Sequence, residues 1–171
     1  GPEQSGQAGA QAQQNGQIAQ LQQRMRELQG KLKQVQSKAM KNNPELKEEA
    51  KALENLVLDT AREHGYEPKK NMEKMQELRK QAQNGDMSEA DRKKLAEQFR
   101  AEKKSLREGQ KKALDSEAVK KARKNYSDNL MAAMEAEEPK TGAMIEELQQ
   151  IQNKFRQMMM SRMQGAHGGG S

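Results

Sequence analysis

Ile18, Leu21, Met25, Leu28, Leu32, Val35 and Ala39 follow one another at intervals of 3, 4, 3, 4, 3 and 4. That spacing is the a and d seam of a coiled coil, and it predicts a helix over about residues 17–41. Such a seam needs a partner helix, because its apolar stripe must be covered. Arg24, Lys31 and Lys38 fall at the flanking g positions and Gln22, Gln29 and Gln36 at e. These flanks offer no opposite-charge pairing between identical parallel helices, so the pattern leaves the partner unspecified. Gly30 weakens the middle of the helix by about 1 kcal/mol relative to alanine.

Five more helices follow by the same reasoning. Asn43-Pro44-Glu45 reads as a start, with Asn as the cap, Pro where its missing N–H is harmless, and Glu at the positive end. The helix over about 44–65 has an apolar face of Leu46, Ala50, Leu53, Val57 and Ala61, widened by Leu56, and His64-Gly65 supplies a left-handed stop. Pro68 opens a shorter helix, about 69–83, with Met72, Met75, Leu78 and Ala82 on one side. Ser88 with Asp91 is a capping-box start for a fourth, about 88–113, whose sparse stripe of Leu95, Phe99, Leu106 and Ala113 predicts half exposure. Asp115-Ser116 caps a fifth, about 116–136, with Val119, Ala122, Tyr126, Leu130 and Ala133 on its face. The sixth, about 140–163, carries Met144, Leu148, Ile151, Phe155 and Met158 at 4, 3, 4 and 3, a second seam.

One motif occurs twice. Glu67-Pro68-Lys69 returns as Glu138-Pro139-Lys140, 71 positions on (67 to 138), and the openers at Pro44 and Ser116 lie 72 apart (44 to 116). Near-equal spacing at both ends of a segment predicts an internal duplication. The expected fold is all-α: about six helices in two similar three-helix units, 17–84 and 88–163, as an elongated bundle or coiled-coil-like hairpins. Residues 1–16 and 164–171, rich in Gly and Gln or Gly alone and poor in apolar bulk, are expected to be flexible tails.

Composition supports slender helices over a rounded core. The chain is 32% hydrophobic and 33% charged, with two Phe, two Tyr and no Trp, so burial falls to Leu, Met, Ala and Ile in narrow seams. The absence of Cys removes disulfides, thiolate metal sites and cysteine nucleophiles. No run of 18 apolar residues is present to span a membrane. The chain opens on Gly1-Pro2 instead of Met, which reads as a protease scar, and a periplasmic or secreted location is expected.

Charge singles out one region. Between Lys103 and Lys124 lie nine basic residues, Lys103, Lys104, Arg107, Lys111, Lys112, Lys120, Lys121, Arg123 and Lys124, against Glu108, Asp115 and Glu117. Clustered cations of this kind suit nucleic acid, anionic lipid or an acidic protein. Only Phe99 and Tyr126 flank the run and no groove-reading motif accompanies it, so a solvated helical face is the simpler explanation. Met158, Met159, Met160, Met163 and His167 gather thioethers and one imidazole, a set that would suit Cu(I). Methionine as adaptable seam filler accounts for them more simply. No base within reach of a nucleophile, phosphate loop or apolar carboxylate site is recognisable, and neither an enzyme nor a cofactor is expected.

A cysteine-free, basic, Met- and Gln-rich chain of helical hairpins resembles the small periplasmic stress and metal-resistance proteins of the Spy and CpxP type, over residues 17–163. The resemblance implies a chaperone or metal-responsive binder. The Leu-Thr-x-x-Gln signature of that family does not occur here, so no functional residue carries over. The reading that follows is a non-enzymatic helical interaction protein that binds a protein partner or a second copy of itself. The expected contacts are Ile18, Leu21, Met25, Leu28 and Leu32 on the first helix and Leu148, Ile151, Phe155 and Met158 on the last.

Overall fold

A computed structural model describes the backbone of residues 2–168 and the side chains of residues 9–165. It contains six helices, α1 (Pro2–Asn42), α2 (Pro44–Glu63), α3 (Pro68–Ala82), α4 (Glu89–Leu114), α5 (Glu117–Glu137) and α6 (Thr141–Gly168), and no strand among the described residues. The all-α class and the number of helices are those predicted. The expected tails are not: α1 begins at Pro2 and α6 runs to Gly168. Gln and Ala are good helix formers, and a helix already nucleated on its seam extends at one hydrogen bond per residue, which outweighs the cost of Gly9 and Gly16. Residues 169–171 of the second expected tail lie outside the described residues.

Local chemistry sets most of the helix ends. After α2, the Tyr66 N–H donates to the Ala61 carbonyl (3.0 Å) and the Gly65 N–H to that of Arg62 (2.9 Å), the paired bonds of a Schellman stop. Gly65 takes φ +87, the left-handed backbone that the predicted stop requires. Ser88 Oγ accepts from the Asp91 N–H at 3.2 Å, and Ser116 Oγ from the Val119 N–H at 3.2 Å, capping α4 and α5 as expected. Asn43 departs from expectation. Its side chain donates backward to the Ala39 carbonyl (2.8 Å), which also accepts the Asn43 backbone N–H (3.0 Å), instead of opening α2.

The chain divides into two compact units, Gly1–Asn43 with Leu130–Ser171, and Pro44–Asn129. The repeat predicted a boundary at 85–87 instead. Helix pairing explains the difference: α3 packs on α4 across that position, while α1 packs on α6 from the opposite end of the sequence. The two proline corners also differ. Pro68 is buried and opens α3 directly after Glu67, whereas Pro139 is exposed and lies ahead of an α6 that starts at Thr141. The fully buried Thr141 turns the second corner; its Oγ1 donates to the Glu138 carbonyl at 2.6 Å and lies 3.2 Å from that of Met134. Equal spacing of the tripeptides is therefore not matched by equal structure, and the fold does not reproduce the expected duplication.

In the first unit, α1 and α6 lie antiparallel. Arg24 reaches Glu147 on α6, whereas Asn42, later on α1, reaches Glu137 just before the corner. Arg24 donates through Nε (2.6 Å) and Nη2 (3.0 Å) to the two oxygens of Glu147, a bidentate pair. The g-position cation that found no match in a parallel copy thus finds a carboxylate on an antiparallel neighbour. The hydrogen bond from Arg24 holds the Glu147 carboxyl below its usual value of 4.5, and Lys31 adds to the effect by charge. A carboxyl whose folded-state pKa is lowered contributes stability above its ordinary value and loses it as pH falls through the lowered one. Arg24→Gln is accordingly expected to lose less stability than the wild type when unfolding is followed by circular dichroism from about pH 6 to about pH 2. Equal acid sensitivity of the two proteins would remove the pair from this role. Both partners are about 40% exposed, so the difference should also shrink with added salt.

In the second unit, α3 and α4 form an antiparallel hairpin. The pairs Tyr66 with Gly109 and Asn71 with Glu102 show it: as position rises on one side it falls on the other. Helix α2 packs on both. The face that α3 buries is Pro68, Asn71 and Leu78 with half-buried Met75, whereas Met72, expected on that face, is 46% exposed. Positions 68, 71, 75 and 78 share one stripe at helical spacing, and Met72 falls beside it. The buried Asn71 donates through Nδ2 to the half-buried Glu102 at 2.7 Å, which ties α3 to α4.

Candidate functional site

The two predicted contact seams lie on helices that pack on each other. Ile18, Leu21, Met25, Leu28 and Leu32 lie on α1, and Leu148, Ile151, Phe155 and Met158 on α6, and these two helices pack together within one unit. Leu28 and Ile151 are buried and the other seven half-buried. A two-helix seam covers each stripe from one side only, which is why most of it stays partly open. Surfaces outside the seams are the freer ones for recognition.

All nine predicted cations are exposed, Lys103, Lys104, Arg107, Lys111 and Lys112 on α4, and Lys120, Lys121, Arg123 and Lys124 on α5. On α4 the structure extends the set toward the N-terminus. At 100° per residue, Arg92, Lys93, Arg100, Lys103, Lys104, Arg107 and Lys111 share an arc of about 120° and run for about 28 Å along the helix. Glu97 and Glu108 lie just beyond one edge of that arc, and Lys112 falls farther round. None of the seven is paired with a carboxylate among the described residues, whereas on α5 Lys120 is 3.7 Å from Glu117 and Lys124 is 3.5 Å from Asp128. Counting charge along the sequence missed Arg92, Lys93 and Arg100, because acidic residues sit among them. A helical wheel of α4 was the signal that places those acids elsewhere.

Beside this face, α3 and α4 enclose an open groove of about 490 Å³, lined by Leu78, Ala82, Leu95, Ala96 and Phe99 with Arg79, Arg92 and Arg100. The Arg79 guanidinium carbon lies 5.4 Å from the centroid of the Phe99 ring, in cation–π contact. Other depressions are mixed in character. Between α2 and α5, Leu53 and Leu56 face Ala122 and Tyr126 with Asn125, and the Asn129 amide donates to Glu49 (3.1 Å) beside them. Between α1 and the start of α6, the cations Arg24, Lys31, Lys38 and Lys140 line a depression with the carboxylates of Glu137 and Glu138, which offset part of that charge.

Of the methionine set, Met158 is half-buried, and Met159, Met160 and Met163 are exposed on α6. The side chain of His167 lies outside the described residues. Among the described residues no group of three or more His, Cys, Asp or Glu could hold a metal ion, and no helix is long and apolar enough to cross a membrane.

Comparison with protein-family models, with curated proteins and with solved structures finds no match to this chain.

Proposed function

We propose that this chain is a non-enzymatic helical interaction protein that recognises acidic surfaces of a protein partner through the outer face of α4. The observation that carries the reading is the row of seven exposed cations there, none paired with a carboxylate among the described residues. Unpaired like charges on one helix repel one another, and an anionic partner relieves that repulsion when it binds. Protein is favoured over nucleic acid by the aromatic residues. Sequence-independent strand binding uses free aromatic faces for base stacking. Here Tyr66, Phe99, Tyr126 and Phe155 are all half-buried, with Tyr66 against Gly109 and Phe99 beneath Arg79.

Binding of the full chain to poly-glutamate and to single-stranded RNA, followed across a salt series, tests the reading. Poly-glutamate affinity should fall steeply as salt rises, because dissolved ions screen the attraction between exposed charges. The combined variant Lys103→Gln, Lys104→Gln and Lys111→Gln should flatten that dependence, whereas neutralising Lys120 and Lys124, already paired with local carboxylates, should change it little. Failure to retain poly-glutamate at about 10 mM salt, where screening reaches only about 30 Å, would remove the proposal. Retention of RNA with none of poly-glutamate would replace it with nucleic-acid binding.

A further inference from the structure

We propose that the α3–α4 groove seats an acidic amphipathic helix of the partner protein, which rests on the acidic-partner reading above and says where such a partner lays its apolar side. The groove has the two halves that a helix of this kind requires. Its floor is apolar: Leu78 is buried, Leu95 and Phe99 are half-buried, and the small Ala82 and Ala96 are exposed between them. Its charged members are all arginines, Arg79, Arg92 and Arg100.

Geometry favours a helix as the occupant. Two antiparallel helices present one groove, and a third helix laid into it completes the packing that leaves Leu95 and Phe99 half open. Among the described residues, every one that lines the groove belongs to α3 or α4 and none to α2. The arginines set the polarity of the occupant. A guanidinium presents a planar fork that matches a carboxylate, and one stacked by its face keeps its in-plane N–H donors for that purpose. Arg79 lies over the Phe99 ring with its guanidinium carbon 5.4 Å from the centroid. Arg92 and Arg100 also belong to the α4 row, so carboxylates flanking the apolar side of a seated helix run on toward Lys103, Arg107 and Lys111.

The test uses the full chain and two fluorescent Glu-rich peptides of identical composition, one with leucines at i, i+4, i+7 and i+11 on a single helical face, the other scrambled. The amphipathic peptide should bind about tenfold tighter than its scramble, a difference of about 1.4 kcal/mol. Ala96→Glu adds a carboxylate at an exposed floor position of a helix, where glutamate is itself a good helix former, so the fold should persist by circular dichroism. That variant should abolish the preference for the amphipathic peptide. Arg79→Gln with Arg100→Gln should weaken it while leaving the floor intact. Equal binding of the two peptides, or an unchanged preference in Ala96→Glu, would overturn the groove. In that event, loss of both peptides on replacing Lys103, Lys104 and Lys111 would leave the broader function standing, whereas no binding of either peptide at low salt would remove both. Tighter binding to anionic phospholipid vesicles than to the amphipathic peptide, lost in Ala96→Glu, would also overturn the helical occupant.

Discussion

Leu28→Ala is expected to destabilise the chain by about 3 kcal/mol, within the range of roughly 2–5 kcal/mol seen when a buried leucine is cut to alanine. Leu28 is the only large residue of the predicted α1 seam with no exposure, while Ile18, Leu21, Met25, Leu32 and Val35 are half-buried around it. The expected value sits in the lower part of the range because a seam between two helices lets solvent reach the vacated space. The half-buried Val35→Ala should cost less, about 1 kcal/mol, since fewer buried methyl groups are lost. Urea unfolding followed by circular dichroism checks both through the midpoint at unchanged slope. A pair of equal losses would show that Leu28 is not the centre of the seam. Leu28→Lys adds a test of whose seam it is: loss of helix with an unchanged mass by light scattering is the expected outcome. A mass that falls with helix retained would assign the contact to two copies of the chain instead.

The second large effect lies where a general rule should reverse. Glycine in a helix interior is about 1 kcal/mol less favourable than alanine, so Gly→Ala ordinarily stabilises. At Gly109 on α4 an added Cβ would stand 2.8 Å from the Tyr66 Cβ and 3.0 Å from its Cγ. The obstructing atoms are at the root of the tyrosine side chain, and the Tyr66 N–H is tied to the Ala61 carbonyl in the turn after α2. They can move only if the turn moves. Overpacking of this kind costs about 1–3 kcal/mol against a propensity gain of about 1 kcal/mol, so Gly109→Ala is expected to lose up to about 2 kcal/mol net. Gly30→Ala on α1 meets nothing within 4 Å and should gain about 1 kcal/mol. Thermal unfolding of the two variants should therefore shift in opposite directions. A stabilised Gly109→Ala would show that the α2–α3 turn does not lie against α4 as described.

Much of the candidate surface could be read along the chain, but its selection could not. The nine cations from Lys103 to Lys124 were visible as a charge excess, and their exposure follows from that. Arg79, which lines the groove, could not be found in the same way, because its relevance comes from lying over Phe99, twenty positions later in the sequence (79 to 99). The contact seams carried the opposite difficulty. Their 3, 4 spacing was correct in kind, since Leu28 and Ile151 are buried, yet it says only that each helix requires a neighbour and not which one. The repeated Glu-Pro-Lys failed as a structural marker for a related reason: Pro68 is buried at a helix start and Pro139 is exposed ahead of one.

The sequence by itself determined six helices and most of their ends, the start of α1 and the end of α6 excepted, because apolar periodicity, Ser88 and Ser116 as caps, and Gly65 as a stop act within a few residues of backbone. Tertiary structure alone decided that α1 pairs with α6 and α3 with α4, and hence that the units are Gly1–Asn43 with Leu130–Ser171 and Pro44–Asn129. Pairing is settled by contacts between distant positions, such as Arg24 with Glu147 and Tyr66 with Gly109, where a matching charge or a missing Cβ admits one neighbour. A seam of leucines and methionines accepts almost any apolar face of the right width, so it could not make that choice alone.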